Sequence, residues 1–66
     1  MKQNNRIREL RARFNLTQDD LAQKVNIRRE TIGHLENNKY NPSLRLAFDI
    51  AKVFGVNIEE VIWFEE

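Results

Sequence analysis

Asn26 and Ile27 are all that separate two amphipathic stretches in the middle of the chain, and so short a connection leaves the backbone few options. One stretch, from Thr17 to Val25, carries Leu21, Ala22 and Val25 at helical spacing, and the other, from Arg28 to Glu36 or Asn37, carries Ile32 and Leu35. Asparagine is one of the few non-glycine residues that tolerate the left-handed conformation. Asn26 therefore ends the first helix, Ile27 fills the turn, and the second helix leaves at a steep angle. Thr17 suits the N-cap position of the first helix, with Asp20 at the third helical position to complete a capping box. Counted from Gln18, Ala22 falls fifth, Asn26 ninth and Ile32 fifteenth. Ala22 is small because the second helix crosses over it.

The remaining segments fit around this pair. A first helix runs from about Arg6 to Phe14, with Ile7, Leu10 and Phe14 as an apolar stripe and Asn5 as its N-cap. The polar run from Asn37 to Ser43 is a loop. Ser43 caps a fourth helix carrying Leu44, Leu46, Ala47, Ile50, Ala51 and Phe54, which Gly55 terminates. Asn57 and Glu60 form a second capping box for a short fifth helix containing Ile58, Val61 and Ile62. The run Ile62, Trp63, Phe64 is β-prone. The expected fold is all-α, with five helices in one domain over residues 1–66 and the two termini free to form a short β-ribbon.

A chain of 66 residues buries only about 60 % of its unfolded surface, so a domain of this size needs added stabilisation. Cysteine is absent, which excludes disulfides, and a single histidine leaves no zinc cluster. Good helix packing and self-association remain. The amino end has no signal-peptide or membrane-span pattern, so a cytoplasmic protein is expected. Charge is unevenly spread: Lys2, Arg6, Arg8, Arg11 and Arg13 stand against Glu9 alone up to Asn15, whereas from Asn57 onward only Glu59, Glu60, Glu65 and Glu66 are charged. That asymmetry fits an anionic partner met away from the carboxyl end. An enzyme has little to work with, since there is no nucleophilic cysteine and no Gly-rich phosphate loop.

At this point the sequence resembles the Cro/CI-type (Xre) helix-turn-helix family with the lambda-repressor-like fold. The resemblance rests on Leu16-Thr17-Gln18, Leu21-Ala22, Thr31-Ile32, Leu35-Glu36-Asn37 and Lys39-Tyr40-Asn41-Pro42-Ser43-Leu44, and it extends from Arg6 to Ile62. In layout the chain is most similar to the small dimeric repressors of that family. The resemblance implies that the helix from residue 28 to 37 enters the major groove of double-stranded DNA and that the protein works as a homodimer. It also implies phosphate-facing roles for Thr17 and Gln18, a second backbone clamp from Thr31, Asn38, Lys39, Tyr40, Asn41 and Arg45, and a structural ion pair between Arg11 and Glu36. Family members commonly carry glycine, serine and glutamine where Asn26, Arg28 and Glu30 stand here.

Helical spacing independently puts Arg29, Glu30, Gly33, His34 and Asn37 on the face opposite Ile32 and Leu35. Arg28, Arg29, Glu30 and His34 are the candidate base readers. Arginine donates to guanine O6 and N7, Glu30 can accept from cytosine N4, and His34 can donate to guanine or a phosphate. Two cations in a first helical turn oppose the macrodipole by roughly 0.3–1 kcal/mol each, so stability does not select Arg28 and Arg29. Gly33 costs about 1 kcal/mol against alanine, which points either to close approach of another surface or to tight packing within the chain. Tyr40 either meets DNA or packs on the fourth helix.

Val61, Ile62, Trp63 and Phe64 are expected to pack across a two-fold axis, with an antiparallel strand pairing to residues near Lys2 to Asn4. The alternative is packing onto the first and fifth helices of the same chain. The dimerisation segment is thus residues 58–66 and the helix-turn-helix unit residues 17–37. The partners expected are operator DNA, bound as an inverted repeat, and a second copy of the chain. No membrane, cofactor, metal or small-molecule ligand is expected. The competing reading is a protein-interaction module, such as the antitoxin of a toxin–antitoxin pair.

Overall fold

Capping chemistry sets the element boundaries in the structure, a computed structural model that describes residues 1–66. The order is β1 (Lys2–Asn5), α1 (Ile7–Arg13), α2 (Gln18–Lys24), α3 (Arg29–Glu36), α4 (Leu44–Phe54), α5 (Ile58–Val61) and β2 (Ile62–Glu65). The Thr17 hydroxyl accepts from the Asp20 N–H at 3.0 Å while the Asp20 carboxylate accepts from the Thr17 N–H at 2.9 Å, which closes the capping box of α2. Ser43 starts α4 by accepting from the Leu46 N–H at 3.1 Å. Before α5 the Glu60 carboxylate accepts from the Asn57 N–H at 2.9 Å.

The first helix is shorter than the sequence suggests. Arg6 occupies the N-cap position because its N–H still donates to Val61 O at 3.0 Å, which ties it to the end of α5. Asn5 therefore caps from one residue further out, its Oδ1 accepting from the Ile7 N–H at 3.0 Å. Phe14 lies just past the helix, half-exposed and edge-on to Phe54 with ring centroids 5.2 Å apart.

All four longer helices end in one device. Asn15, Asn26, Asn38 and Gly55 each take a left-handed backbone, at φ 56°, 59°, 59° and 69°. The next N–H reaches back five residues in every case: Leu16 to Arg11 O, Ile27 to Ala22 O, Lys39 to His34 O and Val56 to Ala51 O, at 2.8–3.0 Å. These are Schellman closures, and they satisfy carbonyls that a helix end leaves without partners.

The helices pack around Ile7, Leu10, Leu21, Ala22, Val25, Ile32, Leu35, Leu46, Ala47, Ile50, Ala51, Phe54, Val61 and Ile62. Ala22 is completely covered at the α2–α3 crossing, as its size requires. The termini form a two-stranded antiparallel ribbon with Lys2 opposite Glu65, Gln3 opposite Phe64, Asn4 opposite Trp63 and Asn5 opposite Ile62. Ile62 is thus the first residue of β2 and not the last of the fifth helix. Val61 and Ile62 are 1 % and 9 % exposed in the single chain. Their side chains lie in the core and have little surface left to bury across a two-fold axis, so that expectation narrows to Trp63 and Phe64.

Candidate nucleic-acid interface

The α2–α3 unit is fixed to α1 by a polar hub at Glu36. The Arg11 guanidinium embraces the Glu36 carboxylate side-on, with Nε donating to Oε2 and Nη2 donating to Oε1 at 3.1 Å, while Nη1 donates to Leu16 O at 3.0 Å. Gln18 Nε2 donates to Glu36 Oε1 at 3.1 Å, and Arg8 reaches the same oxygen at 3.4 Å. The Glu36 and Arg11 side chains are 1 % and 14 % exposed. Burial pushes the Glu36 carboxyl up, but the hydrogen bonds from Arg11, Gln18 and Arg8 and the charge of Arg11 outweigh it, leaving the pKa below its ordinary value. The same hydrogen bond raises the Arg11 pKa further.

With Ile32 and Leu35 buried, the opposite side of α3 is open. Arg28, Arg29, Glu30 and His34 are all exposed, and Thr31 is half-covered. Arg28 stands at the N-cap in extended backbone, and its side chain caps nothing. A serine there would do so; here the arginine is left free. Gly33 is half-exposed, and a Cβ built there would sit 3.7 Å from Gln18 Nε2, an ordinary contact. Packing within the chain therefore does not demand glycine.

Two segments flank this face. At the start of α2, Thr17 is exposed with its hydroxyl oxygen engaged as a cap, and Gln18 spends one amide donor on Glu36. The backbone and side-chain hydrogen bonds with Thr17 hold the Asp20 carboxyl below its ordinary pKa. After α3 the loop presents Asn38, Lys39, Tyr40 and Asn41, all exposed. Tyr40 is thus open to solvent and not buried against α4. Arg45 lies on the outside of α4, its Nε donating to both carboxylate oxygens of Asp49 at 3.3 Å.

Sequence reasoning missed three features, of which the first two have no local signal. Asn5 Nδ2 donates to Leu35 O, Glu36 O and Asn38 Oδ1 at 3.1, 3.2 and 2.8 Å, and Gln3 Nε2 donates to Tyr40 O at 3.0 Å. These contacts join residues thirty or more positions apart, out of reach of any local pattern. The third is a second apolar face on α4, where Leu44 and Phe48 are exposed beside Ile58. The spacing of Leu44 and Phe48, outside the core stripe, is the signal that could have found it.

Two short helices crossed at a tight turn, with a polar outer face on the second, define a helix-turn-helix DNA-binding domain. The chain belongs to the helix-turn-helix family HTH_3, of the Cro/CI (Xre) type, which matches residues 7–61. It is 57 % identical over 61 residues to an HTH-type transcriptional regulator of Archaeoglobus fulgidus, covering 92 % of this chain and 86 % of that one. It is 52 % identical over 62 residues to the HTH-type transcriptional regulator MJ0272 of Methanocaldococcus jannaschii, covering 94 % of both. Among solved structures it is similar to the restriction-modification controller protein C.AhdI of Aeromonas hydrophila, with a TM-score of 0.77, 31 % identity and 83 % of each chain covered. The protein is a DNA-binding transcriptional regulator with the five-helix lambda-repressor-like fold. This family comprises regulators and not enzymes. No helix is long and apolar enough to cross a membrane.

Proposed function

We propose that the protein is a repressor that binds an inverted-repeat operator as a homodimer, with α3 in the major groove. The open face of α3 carries this reading: Arg28, Arg29, Glu30 and His34 are exposed around Gly33, whose missing side chain no internal contact requires. Arg28 and Arg29 supply paired donors for guanine, Glu30 an acceptor for cytosine N4, and His34 a donor for guanine or phosphate. Thr17 and Gln18 at the amino end of α2, and Thr31, Asn38, Lys39, Tyr40 and Asn41 around the end of α3, serve the DNA backbone. Arg45 is the outlying member of that group, because its Nε is already shared with Asp49 and only its Nη groups remain for a phosphate. Contacts of this second kind fix register without reading sequence.

Repression is the favoured direction because occupying a promoter asks nothing of the domain beyond tight DNA binding. Binding to random duplex DNA tests the core of the reading: log affinity should fall steeply and linearly with log salt as phosphates release counterions. Selection from a random DNA pool should then return inverted repeats, and a reporter placed behind the selected site should be silenced by the protein. No binding at low salt overturns the reading, and a reporter that rises reverses its direction.

A further inference from the structure

We propose that Asn5, at the end of β1, is a positioning residue for DNA binding: it sets the polarity of the Asn38 side chain so that Asn38 offers a donor to the phosphate backbone. The inference rests on the reading of the α3–α4 loop as a backbone clamp. It follows from a chain of hydrogen bonds in which each partner leaves the next one choice. A backbone N–H can only donate, so the Ile7 N–H at 3.0 Å identifies the facing atom of Asn5 as Oδ1. The other end of the Asn5 amide is then Nδ2, a donor. It meets only acceptors: Leu35 O and Glu36 O at the end of α3, and Asn38 at 2.8 Å. Asn38 must therefore present Oδ1 to Asn5, and its amide NH2 becomes the free end.

Placement follows from the same atoms. Asn38 is the left-handed residue that closes α3, at φ 59°, so its backbone has little freedom to redirect the side chain. It is exposed and stands next to Lys39 and Tyr40 in the loop. Gln3, two residues before Asn5 on the same strand, holds Tyr40 O at 3.0 Å, so β1 fastens the loop at two points. β1 is itself kept in place by β2, with Asn5 opposite Ile62 in the ribbon. The amino-terminal strand thus reaches the DNA-facing loop through side chains and needs no DNA contact of its own. An amide NH2 fits a phosphate oxygen, whereas an amide oxygen turned outward would repel it.

A double-mutant cycle in the full chain tests this. Asn38→Gly keeps the left-handed turn and deletes the amide. Asn5→Asp keeps the acceptor for the Ile7 N–H but replaces the donor with a second acceptor, which draws the Asn38 NH2 inward and turns its Oδ1 outward. Each is expected to weaken duplex binding by roughly tenfold to a hundredfold, the range of a hydrogen bond to a charged group. Because Asn38→Gly changes no charge, its salt slope should stay that of the parent. The double variant should bind no worse than the weaker single variant. Asn5→Ser, which keeps an acceptor, adds no charge and is too short to reach Asn38, should weaken binding in the same direction and covers the case in which the aspartate variant fails to fold. If Asn38→Gly leaves affinity unchanged, the loop is not a clamp and both readings fall. If Asn38→Gly weakens binding but the two losses multiply, the clamp stands and the role assigned to Asn5 is wrong.

Discussion

Arg11 and Arg8 share Glu36, yet burial makes them unequal. The Arg11 side chain is 14 % exposed against 69 % for Arg8. Deleting Arg11 strands a covered carboxylate, which costs about 3–5 kcal/mol, whereas deleting an exposed partner costs under about 1 kcal/mol. Stability of roughly 0.05–0.15 kcal/mol per residue gives a chain this size about 3–10 kcal/mol in all. Arg11→Ala should therefore lose about a third or more of the total stability and Arg8→Ala stay nearly native, as read by urea midpoints. Acid acts on the same hub. A carboxyl whose folded pKa lies below its unfolded value stabilises the fold above that unfolded value, and the contribution is lost as pH falls through the folded one. Glu36 is such a group, so stability should drop as pH falls below about 4.5. Glu36→Gln should be less stable at neutral pH, with the gap to the parent closing in acid. Asp20 shifts in the same direction, so some acid sensitivity should survive in that variant. A constant gap would show that Glu36 does not drive the acid limb.

Whole elements were legible in the sequence where the signal was local, and less so where it was not. The capping boxes at Thr17 and Asn57, the Ser43 cap and the left-handed Asn26 all involve residues within a few positions of one another. Asn15 and Asn38 use the chemistry of Asn26, but no two-residue turn flagged them, and the Schellman closures there emerged only with the backbone. The exposed face of α3 followed from its period alone, as did the pairing of Arg11 with Glu36 from the family resemblance. The bond from Asn5 to the end of α3 could not be seen, because folding brings those residues together. Gly33 is the sharpest test at this scale. Alanine fits the space and should raise stability by about 1 kcal/mol, a rise of roughly 4–8 °C in Tm for a small domain. If the helix face lies against the groove, the same methyl should weaken DNA binding by about tenfold. A stabler protein with undiminished affinity would mean that α3 does not approach DNA at Gly33.

At the scale of the molecule, the proposed homodimer raises the question of which apolar surface would meet a second copy. A two-stranded ribbon is marginal alone, and here it survives because Val61 and Ile62 anchor one end of β2 in the core. The next two side chains diverge. Trp63 lies under the Arg6 guanidinium, 4.9 Å from the ring centroid, so a change there disturbs the single chain as well. Phe64 is 52 % exposed and is the cleaner probe of the proposed two-fold axis. Phe64→Ser should shift sedimentation from dimer to monomer with little change in the circular dichroism of the helices. Binding to one isolated half-site should persist in that variant. Binding to an inverted repeat, whose half-sites lie about 34 Å apart, should lose the tightness that comes from joining two recognition helices. Phe48→Ser makes the comparison decisive, since Leu44 and Phe48 offer a separate apolar patch on α4 that is 76 % and 50 % exposed at those residues. If the serine at Phe48 dissolves the dimer and the serine at Phe64 does not, the two copies meet along α4 and the ribbon serves the single chain.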